Sequence, residues 1–82
     1  MEKLNLVKDN FKELPNNIDA EQAVIGSILV SNEIFDEIST IISNINFYDP
    51  MHQKIFEAIE SLIYKGMLAN PITLKNYFED EK

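Results

Sequence analysis

The 82-residue sequence predicts an all-α domain of about four helices, packed compactly as orthogonal or antiparallel neighbours. Three observations carry that prediction. Apolar residues recur at the 3.6-residue spacing in four successive stretches, and none of them alternates as a half-buried strand would. Residues that start helices stand before those stretches, and short polar or glycine-containing links stand between them. The hydrophobic fraction, 45% with no cysteine, is that of a globular domain whose core must hold without disulfides.

The first 14 residues mix charge with scattered Leu4, Leu6, Val7, Phe11 and Leu14 and carry no firm cap, which predicts a flexible N-terminal arm. The folded part is expected from residue 15 to residue 82. Its first helix is predicted to start at Asp19 as N-cap, with Gln22 completing a capping-box pattern. Val24, Ile25, Ile28 and Leu29 then cover one broad face, and Ala23 and Val30 add a second, so this helix is expected to be buried on more than one side. Gly26, which costs about 1 kcal/mol against alanine inside a helix, is expected to permit close approach by a neighbour.

The second helix is expected from near Asn32. Ile34, Phe35, Ile38, Ile41, Ile42 and Ile45 form a single stripe, and the period outweighs the strand preference of isoleucine. The third, from Pro50 to about Lys65, would be roughly 24 Å long. Its apolar arc holds Met51, Ile55, Phe56, Ala58, Ile59, Leu62 and Ile63, while Lys54, Glu57, Glu60, Ser61 and Lys65 face the other way. Gly66 is the natural left-handed residue after its end. Thr73 is the expected cap of the fourth helix, with Ile72 stapled onto Tyr77 and with Leu74, Tyr77 and Phe78 on the buried side. The sequence stops inside this last pattern, at Glu79-Asp80-Glu81-Lys82, as a piece of a longer protein would.

Seven lysines oppose fourteen acids, for a net charge of −7, and arginine is absent. Phosphate neutralisation dominates nucleic-acid affinity, so this segment is not expected to grip DNA or RNA directly. The absence of cysteine fits a reducing, cytoplasmic setting. No apolar run approaches the length of a membrane helix, and the N-terminus has no signal-peptide core.

The one apparent catalytic pair is Asp49 and His52, in "NFYDPMHQKIF". Asp49, however, is placed to cap the third helix and Pro50 to lead it in, so the carboxylate's natural partner is the backbone N–H of Met51 or His52. His52 falls among Ile55, Ile59 and Ile63, as a packed, hydrogen-bonded histidine would. A pH-sensing role, or a catalytic or metal-binding one, is the alternative, and no second ligand stands at metal spacing. The two glycines, Gly26 and Gly66, stand too far apart to write a phosphate-binding loop or a dinucleotide fingerprint, so no cofactor or metal site is expected here. Ser27, Ser31, Ser39, Ser43 and Ser61 have no base at hand, and Glu57 and Glu60 belong to the solvated face. Two candidate partner surfaces remain. One comprises Tyr64, Met67 and Leu68; the other is the excess apolar surface of the first helix at Ile25 and Leu29. Either a further part of the same protein or a separate partner would cover them.

Three motifs together carry a family resemblance. The stretch "LPNNIDAEQAVIGSILVSNEIFDEI" resembles the opening of the N-terminal domain of bacterial replicative DNA helicases of the hexameric DnaB type, through Ala20, Glu21, Gln22, Val24, Ile25 and Gly26. The segment "NFYDPMHQKIFEAIESLIYKG" is similar to the family's second motif through Phe47, Tyr48, His52, Ile55, Phe56, Leu62 and Gly66. Ile72, Thr73 and Leu74 keep the family spacing from Gly66. The departures fall in the intervening loop, where Leu68 and Asn70 stand in place of a common proline and aspartate and Pro71 precedes the third motif.

The resemblance implies an all-α head, which in the family is followed by a two-helix hairpin that this segment lacks. It implies a hexameric collar built as a trimer of dimers, which docks the primase and engages a helicase loader in the bacterial cytoplasm. ATP and Mg would be used by a separate motor domain, so this segment would catalyse nothing. The segment alone is expected to be a monomer or weak dimer. The alternatives are the helicase-binding domain of a primase, similar in fold, an unrelated helical adaptor, or a small hydrolase using Asp49 and His52.

Overall fold

The computed structural model describes residues 17–80, which form four α-helices and no strand. The arm expected over residues 1–14 lies outside the described residues, as do Glu81 and Lys82. Helix α1 is Ile18–Val30, α2 Phe35–Ser39, α3 Pro50–Tyr64 and α4 Pro71–Asp80. A 3₁₀ turn, Asn32–Ile34, leads into α2, and a second, Asn44–Asn46, precedes α3.

The cap of α1 is Asn17, whose Oδ1 accepts the Ala20 N–H at 3.0 Å. This corrects the expectation for Asp19, which sits in the first turn, where its charge suits the positive end of the helix dipole. Ala20, Glu21, Val24, Ile25 and Ile28 form one buried stripe, with Leu29 packed at its edge. The helix therefore has one core face rather than two, and Val30 is exposed. Gly26 is not a point of close approach either: a Cβ built there would meet nothing within 4 Å.

The long second helix is the largest correction. Its α-helical part ends at Ser39. The Thr40 hydroxyl donates to the Glu37 carbonyl at 2.7 Å and that of Ser39 to the Asp36 carbonyl at 3.1 Å. Such side-chain bonds offer the backbone an alternative to continued helix. Asn46 Oδ1 then accepts the Ser43 N–H at 2.8 Å and closes a separate turn. Ile34, Phe35, Ile38 and Ile42 remain in the core, whereas Ile41 and Ile45 are exposed.

Helix α3 is the central strut. Asp49 caps it, accepting the Met51 N–H at 2.8 Å, and Pro50 is its first residue. Its buried face runs through His52, Phe56, Ala58, Ile59 and Leu62, leaving Met51 outside. Phe56 lies tilted against Phe35 (5.4 Å between centroids) and Phe47 (5.1 Å), so one aromatic cluster joins α2, α3 and the link between them. Gly66, at φ 78°, follows the helix: its N–H donates to Ile63 O and that of Met67 to Leu62 O, both at 2.9 Å. The two bonds satisfy carbonyls that the helix end would leave unpaired, and the left-handed position between them suits glycine.

The cap of α4 is Asn70 rather than Thr73. Asn70 Oδ1 accepts the N–H groups of Ile72 and Thr73, each at 2.9 Å, and the Thr73 hydroxyl accepts the Asn70 N–H at 2.9 Å. Thr73 is thus the third helical residue of a reciprocal capping box. The expected staple of Ile72 onto Tyr77 is not formed, because Ile72 is exposed. With Asn70 as cap, the two staple positions belong to Ala69 and Leu74, and both are buried.

Candidate functional site

Among the described residues, two polar side chains are buried in the core, one on α1 and one on α3. Glu21 is fully buried, at 0% exposure, and His52 retains 8%. Their side chains meet, with His52 Nδ1 2.8 Å from Glu21 Oε1. The same carboxylate accepts two backbone N–H groups, that of Tyr48 on Oε2 at 2.6 Å and that of Asp49 on Oε1 at 3.2 Å. An ionised carboxylate only accepts, so with Glu21 ionised the hydrogen of this contact lies on Nδ1. Gln53 completes the corner by donating to Phe47 O at 2.7 Å, and the Phe47 ring stands edge-on to the imidazole.

This geometry separates Asp49 from His52 chemically. The Asp49 carboxylate is occupied with the N-terminus of its own helix, and the carboxylate paired with the imidazole comes from a residue 31 positions earlier. Glu21, with its oxygens engaged and no exposed surface, is placed to hold two helices together. Among the described residues, no group of three or more His, Asp or Glu side chains is placed to hold a metal ion.

The sequence signal for Glu21 was present. Residues 21, 24, 25 and 28 form one helical stripe, so Glu21 is the polar interruption of that stripe, as His52 is on α3. Two interruptions on two apolar faces point to each other, because a buried charge needs a partner.

The candidate partner surfaces fare differently. Ile25 is 7% exposed and belongs to the core, and Leu29 is partly buried against its edge, so α1 offers little apolar surface at these two positions. Tyr64 (72% exposed), Met67 and Leu68 (63%) do lie outward, and Ile72 adds to them. They flank the loop 65–70 between α3 and α4. Asn32, at the far end of α1, reaches this loop and brackets Ala69: its Oδ1 accepts the Ala69 N–H at 2.7 Å and its Nδ2 donates to Ala69 O at 3.0 Å. A cleft of about 270 Å³ lies between α3 and α4, lined by Lys54, Glu57, Tyr77 and Phe78. At the α2–α3 link a second exposed apolar group comprises Ile41, Ile45, Tyr48 and Met51.

Fold and geometry define a small all-α domain in which a buried carboxylate–imidazole clamp locks the first helix to the third. Within that class, the chain belongs to the family of DnaB-like helicase N-terminal domains, whose family model matches residues 13–82. It is 48% identical over 63 residues to the replicative DNA helicase DnaB of Rickettsia typhi, an alignment covering 77% of this chain and 13% of the relative. The protein of the same name from Rickettsia conorii is 41% identical over 84 residues, covering 95% of this chain and 17% of the relative. That of Pasteurella multocida is 37% identical over 65 residues, covering 79% and 13%. The chain thus spans a small share of the length of the curated relatives it matches. No solved structure matches it. Glu21, Tyr48 and His52 all fall within the motifs that carry the resemblance, so those motifs include the parts of the clamp.

Proposed function

We propose that this chain is a non-catalytic scaffold and protein-interaction domain of a bacterial replicative DNA helicase. In this reading it contributes to the hexameric collar, a trimer of dimers, and docks the primase during DNA replication, with a helicase loader as a further partner. Residues 15–82 form the helical head, residues 1–14 an arm, and the collar hairpin belongs to the remainder of the helicase. ATP and Mg serve a separate motor domain, and the whole acts in the cytoplasm.

The observation that carries the reading is the match of residues 13–82 to the DnaB-like N-terminal domain. Two features agree with it. The titratable pair in the core is spent on holding helices, which suits a support better than a reaction centre. The net charge of −7 is unsuited to gripping phosphates, which suits a domain set apart from the DNA path. Among the described residues, no helix is long and apolar enough to cross a membrane.

The test is a full-length helicase from which residues 17–80 are removed. We expect hexamer formation and stimulation by primase to be lost while DNA-dependent ATP hydrolysis by the motor persists. Loss of ATP hydrolysis at saturating protein with hexamers intact would place catalysis in this domain and overturn the proposal.

A further inference from the structure

Four apolar residues near the start of the sequence stand at helical spacing. Leu4, Val7, Phe11 and Leu14 are separated by 3, 4 and 3 positions. At 100° per residue a helix would set them within an arc of about 80°. Lys8, Asp9, Lys12 and Glu13 fall away from that arc, and Pro15 bars the pattern from running on into α1. Isolated helices shorter than about 12–15 residues are marginal in water, so a stripe this short needs an apolar surface to lie on.

Such a surface stands where residues 4–14 join the fold. Asn17 is one helical turn before Glu21, whose N–H donates to Asn17 O at 3.1 Å, and Glu21 in turn holds the N–H groups of Tyr48 and Asp49. At that corner Ile45 (78%), Tyr48 (64%) and Met51 (57%) are exposed beside the buried Phe47. From Ile38 to Tyr48 the chain carries no charged residue, although acids outnumber lysines two to one overall. The three residues from Leu14 to Asn17 span up to about 10 Å, which lets the stripe turn back onto the corner. The other exposed apolar group, Tyr64, Met67 and Leu68, belongs to the loop that Asn32 holds, roughly 20 Å away along α1.

We propose that residues 4–14 form an amphipathic strap that lies on Ile45, Tyr48 and Met51 of the same chain. Charge permits the contact. Lys3, Lys8 and Lys12 balance Glu2, Asp9 and Glu13, so the strap adds no negative charge to a chain whose net charge is −7. Its apolar stripe meets an uncharged stretch, and the strap shields the corner where the Glu21 carboxylate receives the entry of α3.

The test uses the full 82-residue chain, which has no cysteine, so Asp9→Cys takes a single nitroxide label on the polar side of the stripe. At low concentration the label should broaden the amide signals of Ile45, Tyr48 and Met51 and spare those of Met67 and Leu68. In the unlabelled chain the amides of residues 8–13 should exchange about tenfold slower than in a free peptide of residues 1–16. Phe11→Asp and Met51→Asp should each remove both effects while α1 and α3 keep their protection. An acid at position 51 suits the first turn of α3, which favours a folded variant. Leu6→Asp, outside the arc, should leave both effects in place. Broadening at Met67 and Leu68 instead, broadening at neither group, or exchange as fast as in the free peptide overturns the proposal. Broadening seen only between a labelled chain and a separate isotope-labelled one assigns the stripe to a second copy and also overturns it. Loss of both effects in Leu6→Asp overturns the helical stripe. Should Met51→Asp not fold, Ile45→Asp replaces it with the same losses expected, and survival of both effects in that variant or in Phe11→Asp overturns the strap.

Discussion

The two ends of α1 are held by polar side chains of different character. At the first turn Glu21 reaches into the core with a carboxylate and gathers three donors from the entry of α3. Just past the last turn Asn32 reaches the α3–α4 loop with a neutral amide that pairs with one residue's backbone much as a neighbouring strand would. The difference lies in what happens when either is removed. Losing the Asn32 amide takes two hydrogen bonds from the backbone of a single residue, Ala69, and removes no charge. Losing the fully buried Glu21 carboxylate takes the shared partner of three groups at once, the N–H groups of Tyr48 and Asp49 and the buried imidazole of His52, and unpaired buried polar groups are costly. The charged clamp therefore concentrates stability at one point, and the neutral one mainly fixes shape.

The largest effect expected is that of Glu21→Ala. It should lower unfolding free energy by about 3–5 kcal/mol, the range for breaking a buried charged pair, against about 1–2 kcal/mol for Asn32→Ala. Urea unfolding midpoints of the two variants measure the ratio, and equal losses would break the distinction drawn between the ends. His52→Ala comes next, at about 2–3 kcal/mol, because Glu21 keeps its two backbone donors when the imidazole is gone. The double variant Glu21→Ala/His52→Ala should lose less than the sum of the single losses, since once either is absent the other has less to lose. A double-mutant cycle on the unfolding free energies reads that coupling directly, and strict additivity would detach the imidazole from the clamp. The smallest effect lies between the clamps. Gly26→Ala should raise stability by about 0.5–1 kcal/mol, because the added methyl group meets nothing and the helix gains a better former. The same change at Gly66, with its φ of 78°, should lower stability by about 1 kcal/mol. Thermal melting of the pair checks both signs.

Most of the helical framework was legible, because three of the four helices announce themselves by period and punctuation. The start of α3 was read from Asp49 and Pro50, and its end from Gly66, because these residue types serve few other purposes in such positions. What misled was competition among equivalent signals. Asn17 and Asp19 are both good caps two residues apart, as are Asn70 and Thr73, and only packing decides between them. Beyond Ser39 the isoleucine stripe continued in sequence while the serine, threonine and asparagine side chains took the backbone elsewhere. The outward position of Tyr64, Met67 and Leu68 agrees with the sequence reading, whereas Ile25 was assigned outward because α1 was granted one apolar face too many. Glu21 was passed over for a different reason. A charged residue on a stripe reads as surface until its partner is found, and that partner stands 31 positions away.

That separation has a kinetic consequence. The amides Glu21 accepts belong to Tyr48 and Asp49, the residues that lead into α3, so the start of the longest helix is completed by a residue distant in sequence. A free α3 segment would carry its own Asp49 cap and yet lack that closure. The entry of α3 can therefore reach its final order only after a loop of 27 residues has closed onto α1, an entropic step that precedes the contacts rewarding it. The first and third helices are bound to form, and to melt, as one cooperative unit.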